Sequence, residues 1–477
     1  MDEPRDDIDT WLSERVKPLL PNPGTFERIR KRARRRKLAQ VGIAAGGAAV
    51  IVAAAVTVPH LVISRVNPDD STGPVASGQK TSSPERTPSP APSPSPSGAS
   101  PSPSAAATAP PQVPVPVNFA PSSVTFVSTG VGWVLGQAGT PGHCTGPNPD
   151  ICTSLAVTNN GGATWQGMPA PIAGLPDGPR GVSGVRSLNG ADAWAFGPQL
   201  YATHNGGQTW TRVDTHGMRV TDLETVNGRA FAVWARCTGT GPDFAAGCTS
   251  FSLYSTQAGA DQWAPVPGVT GLTSSGIVGG TQTASSAQLV LTGTRGYLLA
   301  PSGAVYSGPV TSTVGWQLAL NHGTLETGCG PPGPAQPNGV PSESMLAATG
   351  TGLVELCSGQ SKSGPQGKKL VYSPDGGHWQ LAGYAPQAGI AMSLSGTPDG
   401  HVLVATTSGI DVSANVAGRH PNGLRWRTVN GAALSGGFIY VGMTTSAQGV
   451  AVPNDSNLHA LWFTYDGGRQ WQESAVH

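Results

Sequence analysis

Six cysteines, ten histidines and a sparse set of carboxylates are the side chains with chemistry to offer in this chain. The cysteines fall in close pairs, Cys144/Cys152, Cys237/Cys248 and Cys329/Cys357. An even number at such spacings predicts disulfides made in an oxidising compartment, each pair bridged to itself. Zinc would require CxxC or paired-histidine spacing, and neither is present; His143, beside Cys144, has no second histidine at ligand spacing. Beyond Pro116 the glutamates are Glu224, Glu326, Glu343, Glu355 and Glu473. A paired-carboxylate hydrolase would therefore have to assemble in space from scattered Asp and Glu. No GxSxG, HExxH, P-loop or EF-hand loop occurs, and nothing specifies a cofactor or a metal. His204, His322 and His378 fall in turns and read as solvent-exposed polar residues.

A second pattern recurs too often to be catalytic. "VTNNGGATW", "ATHNGGQTW" and "FTYDGGRQW" share the spacing Thr–x–Asn/Asp–x–Gly–x–x–Trp: Thr158/Asn160/Gly162/Trp165, Thr203/Asn205/Gly207/Trp210 and Thr464/Asp466/Gly468/Trp471. "YSPDGGHW" is one residue shorter: Ser373/Asp375/Gly377/Trp379. Each residue type has a mechanical use. The Asn or Asp side chain accepts bonds from nearby backbone N–H groups, and Gly supplies the positive φ of a reversal. Trp offers a large apolar face and an N–H in search of an acceptor.

The elements around these turns set the fold class. From residue 116 onward, short β-branched and apolar runs alternate with Gly, Pro, Asn and Asp turns, the signature of an all-β domain. Repeat-final tryptophans fall at Trp165, Trp210, Trp263, Trp316, Trp379, Trp426 and Trp471. Their spacing of about 45–60 residues suits a four-stranded propeller blade with some long loops. Seven marks predict a seven-bladed β-propeller. The turn is incomplete at Trp263, Trp316 and Trp426, which leaves six or eight blades open.

The turn resembles the bacterial neuraminidase repeat, or Asp-box, and the fuller unit resembles the repeat of the photosystem II stability and assembly factor family and its sialidase-like propeller relatives. That resemblance covers 116–477. It implies that the boxes are structural turns at the propeller rim, away from the central pocket. Sialidases also carry an arginine cluster, a Tyr nucleophile paired with Glu, an Asp acid/base and a Phe/Tyr-Arg-Ile-Pro segment in the first blade. The corresponding segment here, "VPVNFAPSSVTFVS", has no arginine.

The N-terminal part is built differently. Eight of the ten residues from Arg28 to Lys37 are basic, and residues 38–64 then run for 27 positions without a charge. That pattern predicts one transmembrane helix over 38–64 with a cytoplasmic basic tail over 1–37, by the positive-inside rule. A short amphipathic helix within "IDTWLSERVKPLL" is expected in the tail, where it suits a cytoplasmic partner. Residues 65–115, rich in Pro, Ser and Ala, read as a disordered linker of extended chain. The domain over 116–477 carries 14 Lys and Arg against 17 Asp and Glu, which argues against nucleic acid.

The expected molecule is a single-pass cell-membrane protein with an extracellular propeller that binds or assembles with a protein or glycan ligand. The alternative is an extracytoplasmic, sialidase-like glycoside hydrolase with a divergent active site. Convergent carboxylates or arginines in the central pocket would favour the hydrolase. A lining of Ser, Thr, Gly and aliphatics would favour the binder.

Overall fold

The computed structural model describes residues 114–477, apart from 139–151, 175–179, 238–247, 274–276, 279–280, 283–286, 321–342, 359, 362–363, 366–367, 419, 421–422 and 430–435. The basic tail, the uncharged span over 38–64 and the linker up to residue 113 lie outside the described residues. No described helix is long and apolar enough to cross a membrane.

The described residues form seven four-stranded antiparallel sheets, each an up-and-down meander with its strands in sequence order. They are blade 1 (120–168), blade 2 (184–213), blade 3 (219–265), blade 4 (288–320), blade 5 (343–385), blade 6 (391–429) and blade 7 (438–475). Two small ribbons, Ile277–Val278 with Thr281–Gln282 and Gln360–Ser361 with Gly364–Pro365, stand apart from the blades. The molecule is a seven-bladed β-propeller. Each of the seven repeat-final tryptophans directly precedes or opens the fourth strand of a blade, from Gln166–Met168 in blade 1 to Gln472–Ala475 in blade 7.

Why the apolar runs do not alternate follows from the packing. In blade 6, Val402–Thr406 and Gly409–Ser413 are buried at every position. Leu403 belongs to the apolar cluster shared with blade 7, and its neighbour Val404 to the cluster shared with blade 5. Successive side chains of a strand point to opposite faces, so a strand sandwiched between two blades needs both faces apolar. Fourth strands lack that cover. Thr211–Val213 and Gln472–Ala475 are largely exposed.

Seven apolar clusters, one between each pair of adjacent blades, close the ring. Blade 7 meets blade 1 through Val450, Leu461 and Phe463 against Val124, Val134 and Trp165. Phe126 and Phe463 pack edge to face there, 5.8 Å between ring centroids. The same seam is pinned by polar bonds over 300 residues of sequence: Gln448 Nε2 donates to Thr129 O at 2.8 Å, and Ser474 Oγ to Gly162 O at 2.7 Å. Apolar packing at the seam begins with Val115.

Candidate functional site

The four repeated turns lie between the third and fourth strands of blades 1, 2, 5 and 7. In blade 1, Gly162 N–H donates to Thr158 Oγ1 at 2.9 Å, and Thr164 N–H donates to Asn160 Oδ1 at 2.9 Å. Thr158 Oγ1 donates in turn to Asn160 Oδ1 at 2.9 Å. Blade 2 repeats the set with Gly207 on Thr203 and Thr209 on Asn205. Blade 7 repeats it with Gly468 on Thr464 and Gln470 on Asp466. Gly162, Gly207 and Gly468 take φ of 93°, 80° and 80°. A side chain at Gly162 would also meet the Phe463 ring of blade 7 at 2.4 Å, so this glycine serves both the turn and the seam.

Two details depart from the sequence reading. In the shorter blade-5 turn the positive φ falls on Gly376 rather than Gly377, and it is Gly376 N–H that donates to Ser373 Oγ. Losing one residue before Trp379 moves the reversal back by one. Nor do all the indoles find acceptors: Trp210 donates to Pro169 O and Trp379 to Gly376 O, but the N–H of Trp165 and of Trp471 has no partner among the described residues. These rings are held by apolar contact first.

Of the three expected disulfides, one is described. Cys237 and Cys248 are bridged across paired strands of blade 3, Arg229–Cys237 and Cys248–Gln257, with Cα atoms 3.8 Å apart. Cys152 opens the third strand of blade 1, Cys152–Thr158, where its backbone pairs with Ala138. Its expected partner Cys144 lies outside the described residues, and the Cys144–Cys152 pairing lies there with it. Cys357, on Gly352–Ser358 of blade 5, is disulfide-bonded. Cys329 lies outside the described residues, so the Cys329–Cys357 pairing does too.

From blade 1 to blade 7 the first strands of successive blades touch one another and line the axis, and the first strand of blade 1 meets blade 7 through Gly449–Pro453 and Ala460–Thr464. A first strand has a sheet partner on one edge only, so its remaining backbone N–H groups need other acceptors. Side chains of the preceding blade supply them. Ser123 Oγ accepts from Val185 N–H at 3.1 Å, Asp222 Oδ2 from Leu289 N–H at 2.7 Å, Gln288 Oε1 from Leu346 N–H at 2.8 Å and Ser395 Oγ from Met443 N–H at 3.2 Å.

At blades 2 and 3 this ring is charged. Arg186, on Gly184–Ser187, pairs through Nε with Glu224 Oε1 at 2.8 Å and donates to Val185 O. Asp222 and Glu224 lie two apart on Arg219–Val226, and so share a face. Tyr440 of blade 7 feels the charges of Arg186, Glu224 and Asp222, and burial raises its phenol above the usual range. Burial, with Glu224 nearby, pushes the Asp222 carboxyl up against the pull of the Leu289 and Leu223 N–H groups. The axis thus has a mixed lining, an Arg/Asp/Glu/Tyr group within a ring otherwise held by Ser and Gln. Sequence reasoning missed the group because its members come from three blades with no shared spacing; the Asp222/Glu224 alternation was the one local signal.

A second feature lies away from the axis, between blades 2 and 3. A cavity of about 420 Å³ is bounded by the fourth strand of blade 2, Thr211–Val213, and by Trp234, Tyr254 and Trp263 of blade 3. Trp234 and Tyr254 stack with centroids 4.1 Å apart, and Trp263 lies 6.0 Å from Trp234. On its margin, Asp261 accepts from Trp194 Nε1 at 2.9 Å and contacts His204 Nε2 at 2.8 Å. The other His204 nitrogen meets Asp192 Oδ1 at 2.8 Å. His204 is therefore no solvent-facing filler but a bridge between blades 2 and 3. Burial works against its charge, yet the hydrogen bonds to Asp261 and Asp192 win, and the imidazole titrates above its ordinary range. His378 is exposed as expected, bonding Asp375 at 2.6 Å, and His322 lies outside the described residues.

Among the described residues, three buried charged groups belong to neither place. Glu355, on Gly352–Ser358, is fully buried and its carboxyl is pushed up to about 7 by that burial. Lys368 of blade 5 faces Asp411 of blade 6 at 3.9 Å, and burial drives the ammonium down and the carboxyl up. No group of three metal-ligating side chains occurs among the described residues.

No protein-family model and no curated protein matches this sequence. By structure the chain is similar to YCF48 bound to D1 peptide, at 15% identity over 75% of this chain and 95% of that one, with a TM-score of 0.44. It is also similar to YCF48 from Cyanidioschyzon merolae, at 15% identity over 77% and 89% with a TM-score of 0.33. A third likeness is to the GH74 xyloglucanase from Xanthomonas campestris, at 14% identity over 77% and 69% with a TM-score of 0.39.

Proposed function

We propose that this chain is a membrane-anchored binding or assembly module, with its anchor at 38–64, a cytoplasmic tail over 1–37 and an extracellular propeller at the end of the 65–115 linker. The four Thr/Ser–Asn/Asp–Gly–Trp turns act in it as Asp-boxes, holding blades and touching no ligand. The observation that carries the binding reading is the employment of the axial carboxylates. Asp222 accepts backbone N–H groups from Leu289 and Leu223, and Glu224 holds Arg186. Groups that close the ring in this way are poorly placed to move protons or attack a substrate, which needs a carboxyl within reach of the reacting atoms.

The second reading, a surface glycoside hydrolase, draws on the convergence of Arg186, Asp222, Glu224 and Tyr440 at the axis. One experiment separates the two. The full-length protein and its Glu224→Gln and Asp222→Asn variants are assayed on a set of aryl glycosides, sialosides included, alongside thermal unfolding. The module reading expects no turnover by any of the three and a lowered melting temperature in both variants. Glycoside turnover by the parent that disappears in a folded Glu224→Gln protein would establish the hydrolase instead.

A further inference from the structure

The cavity between blades 2 and 3 has the makings of a ligand site away from the axial ring. At about 420 Å³ it falls in the range of small-molecule pockets. Its wall is aromatic: the partly exposed rings of Tyr254 and Trp263 stand against the buried Trp234. The faces of such rings carry the negative part of the quadrupole and attract weakly positive C–H groups. Around them stand donors and acceptors together, in Arg212, Asp214 and Gln262. Arg212 and Gln262 are exposed, so their polar ends are available to a ligand.

Charge decides which ligand suits this wall. Two aspartates beside aromatic rings would suit a lysine or arginine of a peptide, as a cation held over a π face. Asp261, however, is already occupied on both oxygens, by Trp194 Nε1 and by His204 Nε2. Asp214 stands on the same wall as Arg212, one negative charge beside one positive. With Asp261 occupied and Asp214 set beside Arg212, neither sign of charge stands alone on this wall.

The local departure of the repeat points to the same place. Blade 3 lacks the complete turn, and Thr256 Oγ1 there donates to Gln257 O rather than joining a turn network. Asp261, with φ of 46°, takes a left-handed conformation uncommon for a non-glycine residue, and Gln262 and Trp263 follow it onto the cavity wall.

From the aromatic wall, the balanced charge and the mixed donors and acceptors, we infer that this cleft binds a neutral carbohydrate, one or more uncharged sugar rings stacked on Tyr254 and Trp263 with hydroxyls bonded to Arg212, Asp214 and Gln262. The inference rests on the binding-module reading and names a ligand class and a place for it.

The test uses the full-length protein. Isothermal titration and tryptophan fluorescence follow its binding to gluco-, xylo-, manno-, galacto- and arabino-tetrasaccharides, with tetralysine as the cationic competitor. At least one neutral tetrasaccharide is expected to saturate with an affinity of about millimolar or tighter. Tyr254→Ala should weaken it at least tenfold. Gln262→Ala and Arg212→Ala, both at exposed positions, should each weaken it about threefold and keep the test readable if Tyr254→Ala fails to fold. Three results would overturn the inference: no neutral saccharide saturating by about 10 mM, binding indifferent to the substitutions, or tetralysine occupying the cleft in place of sugar. A protein partner captured on another face would leave the module reading standing while these results removed the sugar site. Glycoside turnover at the axis would do the reverse.

Discussion

The carboxylates inside the ring and those in the surface turns titrate in opposite directions. Asp222, Glu355 and Asp411 are pushed up, in each case first by burial. Asp375 is driven well below the usual range, chiefly by the His378 hydrogen bond and by backbone N–H groups. Asp466 is lowered too, because bonds from Gln470, Thr464 and Arg469 outweigh its modest burial. The same functional group thus spends folding energy in one region and supplies it in the other. An interior carboxyl costs desolvation that its few partners do not recover, whereas a turn carboxyl keeps its water and gains fixed donors. Stability of this propeller should therefore fall at both ends of the pH scale, for different residues.

The largest expected effect comes from the interior. Glu355 holds its proton more tightly folded, at about 7, than unfolded, at 4.5. Its contribution is therefore fully present below the unfolded value and is lost as pH rises from there through 7. The difference corresponds to roughly 3 kcal/mol. Glu355→Gln should remove that slope, so that variant and parent diverge in urea melts between those pH values. Parallel curves across the window would show that the buried carboxyl is better partnered than its surroundings suggest.

A turn should respond less and with the opposite sign. Asp466→Ala is expected to cost about 1–2 kcal/mol, the range for leaving N–H groups without their acceptor. Asp466→Asn should cost a smaller amount, since Asn160 and Asn205 fill the same role in blades 1 and 2. The lowered folded-state value of Asp466 means its stabilisation is present above the unfolded carboxylate value and is lost as pH falls from there through the lower folded one. If Asn proves as damaging as Ala, charge rather than hydrogen bonding holds the turn, and the contrast drawn above fails.

The smallest effect is expected at the seam of blades 2 and 3. His204 is raised by Asp192 and Asp261, so its stabilisation is complete below its unfolded value and fades as pH rises through the higher folded one. His204→Gln should flatten that loss, read as a change in melting temperature as pH rises beyond the ordinary imidazole range. With the side chain 33% exposed, solvent screening keeps the gain small.

Much of the architecture was legible in the chain because propeller blades are local objects. Four consecutive strands pair with their neighbours in sequence, so one tryptophan before each fourth strand marks the blade whether or not the full turn survives, as at Trp263, Trp316 and Trp426. The Cys237–Cys248 bridge was legible for the same reason, its two halves ending adjacent strands. What tertiary structure alone decided lies between blades. Arg186, Glu224 and Tyr440 meet because the ring closes, and no spacing in the sequence encodes a closure angle. His204, a turn residue by every local sign, became a bridge only when blade 3 brought Asp261 against it. Contacts within a blade follow the period of the strand, whereas contacts between blades follow the twist of whole sheets, a sum over many residues that no short motif records.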